Sequence, residues 1–394
     1  MSERSDIVAI FGMSFQPYQG RYLRVLNQLR ALARTGFRVT LLCWDRECTQ
    51  PQTEKVHDIH VYRLRIAAPV GQGPRVNAPN VLRFNRAAYR YLAEHPPSVI
   101  HCYNLDGIGA TYLAARRLKA RTVLDLCEPE YYALWKRRYR WLLKIVNGIE
   151  KSVARSADHV FVHNRFQVRK FTGYGIGHVT QVGSYPNCAM IPAKPAPPRG
   201  DRFVIGRLGT IYADTGIEEM LEAYRMLLER AESRDCARRY HLFLAGKVFD
   251  VYRSIFEALI EPFGDKITVH GTFDSAGMPE LYRALDMSLV LARRTRWFRN
   301  ITPTKLFDSM ANGVPVLASD IGDVRDVIDE ADWGIVVDER DPLSICNGIE
   351  SIAETPGLRE RMAAGALKLA RERYTWEVYE PAFLERYASL VGSP

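Results

Sequence analysis

The strongest constraint on this chain is a rhythm. A short β-branched apolar run, a loop carrying glycine and an amphipathic segment follow one another along most of its length. IVAIF (7–11) leads through Gly20 to Tyr22, Val25, Leu26, Leu29, Leu32 and Ala33, which recur at helical spacing until Gly36 ends the segment. RVTLLC (38–43), SVIHC (98–102), RTVLDL (121–126) and HVFVH (159–163) repeat the pattern. These runs are apolar throughout rather than alternating, as in strands covered on both faces. Strands alternating with helices predict a doubly wound parallel α/β sheet.

The rhythm breaks at MIPAKPAPPRG (190–200), where four prolines exclude a central strand or a helix interior. It restarts with RFVIGRL (202–208), HLFLAG (241–246), KITVH (266–270), MSLVLA (287–292), GVPVLA (313–318) and GIVVD (334–338). Two α/β domains are expected, 1–192 and 201–373, joined by a linker at 193–200. The segment 374–394 reads as a closing helix, with Trp376, Tyr379, Phe383, Tyr387 and Leu390 on one apolar face. That face is too hydrophobic to lie free.

At 394 residues, with 47% hydrophobic and 25% charged residues, the chain is neither disordered nor fibrous. No run approaches the roughly 20 apolar residues of a membrane span. The N-terminus sets charges directly against a short apolar run and reads as a strand rather than a signal peptide. Seven cysteines (43, 48, 102, 127, 188, 236, 346) are scattered without a CxxC pair, which fits a reducing, cytoplasmic setting. A net charge of +9 invites an anionic partner: a phosphate-bearing substrate, a membrane surface or nucleic acid. No nucleic-acid-binding module is recognisable, so nucleic acid is not expected.

In open α/β sheets ligands bind beyond the carboxyl ends of the strands. The richest such stretch is WFRNITPTKLFDSMANGVPVLASD (297–320). Thr302 and Pro303 read as an N-cap and a first helical residue. The start of that helix would offer free N–H groups and a positive dipole end to a phosphate. Lys305, with Arg293, Arg294, Arg296 and Arg299 before it, adds positive charge, and Asp308 could accept hydrogen bonds from ribose hydroxyls. A capped helix with a solvated basic loop is the structural alternative.

TPTKLFDSMANGVPVLAS resembles the donor-site helix of the retaining GT-B glycosyltransferases of family 4, the group 1 glycosyltransferases. VIHCYNLDGIGATYLAARRL (99–118), RTVLDLCEPE (121–130), LGTIYADTGIEEMLEA (208–223), ITVHGTFDSAGMPELYRALDMSLVLA (267–292) and RYTWEVYE (373–380) are similar to further segments of that family, in order. The resemblance implies two facing Rossmann-like domains with a C-terminal helix crossing back. It also implies a nucleotide-diphosphate sugar as co-substrate and neither cofactor nor metal. The donor side would comprise Gly20, Gly209, Thr210, Lys247, Arg293, Asn300, Thr302, Thr304, Lys305 and Asp308. Tyr103, Asn104 and Cys127 would lie on the acceptor side, with Lys305, Glu128 and Asp125 closest to catalysis. The acceptor would be a saccharide, a lipid-linked sugar or a metabolite, as in polysaccharide biosynthesis.

The departures from the family are specific. Basic residues usual in the first C-domain loop are replaced by Thr210 and Thr215, so neutralising charge must come from Arg207, Lys247, Lys305 or the arginines of 293–299. Cys127 and Tyr103 stand where many members carry histidine. A non-catalytic glycosyltransferase-like subunit and a nucleotide-sugar epimerase of the same fold are the competing readings.

DGIGATYLAA (106–115) lacks the third glycine of a dinucleotide loop and reads as a turn packed under a helix. His101 and His163 end strands and read as structural hydrogen-bonding residues. ALWKRRYRWLLKIV (133–146) mixes basic and aromatic residues as an interfacial helix does, which would allow peripheral contact with a membrane's inner face. The preferred reading is an ordinary buried stripe through Trp141 and Ile145.

Overall fold

The computed structural model describes residues 6–16, 22–69, 74–126, 140–197, 200, 202–234, 239–274, 276–295 and 298–391. The chain divides into two compact units, Met1–Ser184 with Tyr379–Pro394, and Tyr185–Val378.

The first unit begins with β1 (Asp6–Phe11), α1 (Leu23–Arg34), β2 (Arg38–Asp45), β3 (Thr53–Val56), β4 (Ile59–Arg65) and α2 (Pro74–Glu94). It continues with β5 (Val99–Tyr103), α3 (Ile108–Leu118), β6 (Arg121–Leu126), α4 (Arg140–Ser156), β7 (His159–Val162), α5 (Arg165–Gly173) and β8 (Val179–Gln181). Its sheet runs β3-β4-β2-β1-β5-β6-β7-β8 and is parallel except where β3 pairs antiparallel with β4. The sequence pattern does not announce β3, β4 or β8. β4 is half-buried and alternates instead of running apolar, β3 is polar, and β8 is three residues at an edge.

The second unit opens with β9 (Arg202–Leu208), α6 (Ile217–Ser233), β10 (Arg239–Ala245), α7 (Arg253–Ile260), β11 (Ile267–Gly271) and α8 (Met278–Arg283). Then come β12 (Met287–Val290), α9 (Thr304–Ala311), β13 (Val316–Ser319), α10 (Val324–Asp329), β14 (Gly334–Val337), α11 (Pro342–Glu354) and α12 (Leu358–Arg373). The sheet order is β11-β10-β9-β12-β13-β14, all parallel. Strand order reverses between β9 and β12, which makes the carboxyl ends of those strands the topological switch point of this unit. Ile205, Leu242, Leu244, Met287, Leu289 and Leu317 are buried in a core under α6 and α11.

The proline-rich stretch lies inside the second unit. Arg371 donates to the carbonyls of Pro192 and Ala193, and Arg359 to that of Ala196. Prolines provide no N–H for a ladder, so these arginines satisfy carbonyls that a strand would otherwise have paired. The last helix, α13 (Trp376–Val391), starts in the second unit and belongs to the first from Tyr379 onward, where Phe383 and Tyr387 are fully buried.

Candidate functional site

Three neighbouring strands of the second unit end in glycine. Gly209, Gly246 and Gly271 follow β9 and β10 and close β11, all at positive φ. The Gly209 N–H donates to the Ala245 carbonyl (2.8 Å) and the Gly246 N–H to the Gly271 carbonyl (2.6 Å). A Cβ on Gly246 would lie 2.1 Å from the Gly209 carbonyl oxygen, and one on Gly209 would lie 2.8 Å from Lys305 Nζ. Glycine at both positions is therefore dictated by close approach as well as by backbone conformation.

Lys305 comes from the first turn of α9. That helix starts one residue later than the sequence suggests. Pro303 is itself the cap residue, extended at φ −62° and ψ 130°, and Thr302 lies buried before it. The proline supplies no side-chain acceptor, so the first N–H groups of α9 keep their donor capacity. Half-buried Lys305 stands over Gly209 and makes no ion pair among the described residues. Burial, reinforced by the nearby Arg207 guanidinium and opposed by Asp308, pushes its ammonium down to about 7. Burial likewise raises the Asp308 carboxyl to about 7, against the pull of Lys305.

The remaining expected donor residues divide. Thr210 directs its carbonyl to Arg207, while Thr215 closes a tight turn with Tyr212 and presents no charge. Arg293 is committed to Glu218 and Glu219. Lys247 and Thr304 are exposed, and Asn300 is half-buried in a short turn (Phe298–Asn300) before α9. Arg294 is exposed and engages Glu339 through its backbone N–H at 2.9 Å. Gly20, Cys127, Glu128, Arg296 and the side chain of Arg299 lie outside the described residues. Sequence reasoning passed over Gly246 and Gly322. Each is the first glycine after an apolar strand run, HLFLAG and VLASDIG, and that signal was available.

The described first-unit residues expected on the acceptor side or near catalysis, Tyr103, Asn104 and Asp125, are all buried. Asp125 is fully buried. Its carboxylate accepts hydrogen bonds from Arg24 Nη2 and Gln28 Nε2, each at 2.7 Å, and lies 3.6 Å from His101 Nε2. Burial alone would raise its pKa, but the Arg24 guanidinium and the His101 ring hold it well below the usual carboxylate range. Tyr103 is equally buried and donates to Gln28 Oε1 at 2.7 Å. Neither side chain is exposed. They brace the ends of β5 and β6 against α1. Asn104 is buried at φ +55°, its N–H donating to the Asp125 carbonyl. His101 pairs with the Tyr387 hydroxyl, a structural role. Of 133–146, residues 133–139 lie outside the described set. The expected buried stripe does not hold at Ile145, which is 49% exposed, because α4 turns Glu150 and Ala154 inward instead. Among the described residues, no group of three or more His, Cys, Asp or Glu side chains is placed to share a metal ion. Among them, too, no helix is long and apolar enough to cross a membrane.

Comparison with known proteins bears on this geometry. Residues 21–183 match the family described as Glycosyl transferase 4-like domain, and residues 193–369 match Glycosyl transferases group 1. Together these matches take in most of the chain. It belongs to the group 1 glycosyltransferases, and its fold is GT-B. A D-inositol 3-phosphate glycosyltransferase of Xylanimonas cellulosilytica is 30% identical over 134 residues, 34% of this chain and 31% of the relative. The chain thus matches about a third of that protein's length. Sucrose-phosphate synthase from Thermosynechococcus elongatus superposes with a TM-score of 0.80 at 16% identity, covering 99% of this chain and 100% of that one. HepE of Anabaena in complex with UDP-glucose gives 0.67 at 15% identity, covering 97% and 99%.

Proposed function

We propose that the protein is a retaining glycosyltransferase that moves a hexosyl group from a nucleoside diphosphate sugar to a hydroxyl acceptor without a divalent metal. One observation carries the reading. A desolvated ammonium, Lys305, stands without an ion-pair partner among the described residues, over a glycine turn at the switch point and at the start of a helix. That is the environment a diphosphate needs. Family membership supports the reaction class, and a structural relative carrying UDP-glucose supports the donor class.

In the proposed step the bond from the sugar's C1 to the leaving phosphate oxygen breaks as the acceptor oxygen attacks the same face. The acceptor's proton passes to an oxygen of the departing diphosphate. Lys305 and the α9 N–H groups stabilise the charge that grows on that phosphate. Asp308, one turn further along, would accept from ribose hydroxyls. The acceptor we propose is a saccharide or a lipid-linked sugar. Exposed Ile145 and Ile149, with exposed Lys144 directly before them, support contact with a membrane carrying it.

The test is thermal stabilisation by UDP, GDP, ADP and TDP, with NAD as control, followed by NMR of the product anomer in EDTA. Ligand at 100 times its Kd should add about 2.7 kcal/mol. We expect a rise with one nucleotide, lost in Lys305→Met and reduced in Asp308→Ala, and an anomer matching the donor's. No rise with any nucleotide would overturn the reading in favour of a non-catalytic subunit. Rapid release of free diphosphate and sugar without acceptor would favour the epimerase.

A further inference from the structure

Arg207 lies two residues before Gly209, on β9, and is 1% exposed. A guanidinium so buried ordinarily faces a carboxylate. No carboxylate among the described residues pairs with this one; the phenols of Tyr212 and Tyr252 bear on it, and so does the Lys305 ammonium, which it repels. Its Nη1 and Nη2 donate to the carbonyls of Gly209 and Thr210, at 3.3 and 3.2 Å, and its buried Nε has no partner. The loop it underlies, GTIYADTG (209–216), contains neither lysine nor arginine.

The consequence follows from peptide geometry. In a trans peptide the C=O and the next N–H point in opposite directions. With the Gly209 carbonyl held toward Arg207 and lodged against the Cα of Gly246, the Thr210 N–H points the other way. It finds no acceptor among the described residues. Lys305 Nζ stands over the same turn. Two cations and an outward N–H therefore converge on Gly209, and one of the cations sits inside the sheet.

We propose that Arg207 is a positioning residue. It clamps the carbonyls of Gly209 and Thr210 inward, turns the Thr210 N–H toward a bound phosphate, and supplies from within the strand the positive charge that the loop lacks. This rests on reading the strand-end site as a diphosphate site, so the test includes a measurement that needs no nucleotide. The ionisable groups bearing on Lys305 are Arg207 and Asp308, and Asp308 in turn faces Tyr282.

Lys305 is titrated by NMR in the intact, 13C-dimethylated protein, with the signal assigned through Lys305→Arg. In Arg207→Met the Lys305 midpoint should move up from its value near 7, since a neighbouring cation has gone. In Arg207→Lys it should stay near that of the unaltered protein. UDP affinity is then measured calorimetrically between about pH 6 and pH 9. We expect Arg207→Met to bind roughly 10- to 100-fold more weakly at pH 6, where Lys305 is charged, with its alkaline fall displaced to higher pH. Arg207→Lys should bind more weakly with its pH profile unmoved, because it keeps the charge and loses the fork. A Lys305 midpoint unchanged in Arg207→Met, or weakened binding without a displaced profile, overturns the proposal. If Arg207→Met does not fold, Arg207→Gln serves for the same two measurements. An unaltered protein that binds no nucleoside diphosphate defeats the donor reading, while the lysine titration still decides the role of Arg207.

Discussion

Asp125 and Lys305 are both enclosed ionisable side chains, and their surroundings treat them in opposite ways. Asp125 has Arg24, Gln28 and His101 around it, which favour its charged form. Lys305 is desolvated by burial, has Arg207 near it and makes no ion pair among the described residues, which disfavours its own. A satisfied charge braces a fold, and an unsatisfied one attracts a ligand. Asp125→Asn should therefore cost about 3–5 kcal/mol of stability, the usual penalty for breaking a buried pair. The folded-state pKa of Asp125 is depressed, so its contribution is present above the unfolded carboxylate value of about 4 and is lost as pH falls below it. Denaturant midpoints should thus differ most between variant and parent above about pH 4 and converge in stronger acid. UDP affinity per folded molecule should be unchanged, and a loss at full stability would return Asp125 to the binding machinery. Both residues were legible as candidates because each follows or sits near a strand end in a suggestive motif. Which of them was already satisfied was not legible. Arg24 and Gln28 meet Asp125 from about 100 positions away, and nothing in local sequence reports that pairing.

At the scale of elements, the long apolar strands were legible and the half-buried ones were not. RTVLDL coincides with β6, whereas the alternating IHVYRLR of β4 resembles loop until the neighbouring β2 is known. The start of α9 lies one residue beyond the expected position for a related reason. A proline fits either the cap or the first turn, and the choice depends on what passes beside it. Gly322, at φ +53° after β13, leaves room for the chain entering α9. A Cβ there would lie 2.3 Å from the Ile301 carbonyl oxygen and 3.1 Å from the Thr302 nitrogen. The obstruction is backbone, so it cannot be relieved by rotating a side chain. Gly322→Ala should displace residues 301–302, and Lys305 with them. UDP affinity should fall at least about 10-fold, although Gly322 lies outside the residues assigned to the donor. Stability should fall by about 1–3 kcal/mol from the strained conformation alone. Unchanged affinity in the folded variant would mean that the entry to α9 does not set the position of Lys305.

For the whole molecule, the chain leaves its first unit at Ser184 and returns to it at Tyr379. The helix α13 spans that return. Its first turn is tied to the second unit, where the Trp376 N–H donates to the Pro186 carbonyl and Glu377 accepts from the Cys188 N–H, both at 2.9 Å. Further along, Glu380 pairs with Arg34 at 2.7 Å, Phe383 packs on Phe161, and Tyr387 meets His101. The aromatic spacing of this helix made its burial legible in advance. Its membership of the first unit came only through the resemblance, since an apolar face does not name the surface that covers it. A segment so distant in sequence closes the β5–β7 side of the sheet, so the first unit is incomplete until the residues from Tyr379 through Tyr387 have been made. Phe383→Ala should remove about 3–5 kcal/mol of core packing from that unit. Hydrogen exchange followed by mass spectrometry should show β5, β6 and β7 exchanging faster, with β9, β10 and β13 unchanged. Faster exchange in both sheets alike would mean instead that the two units unfold as one cooperative body, with α13 serving both equally.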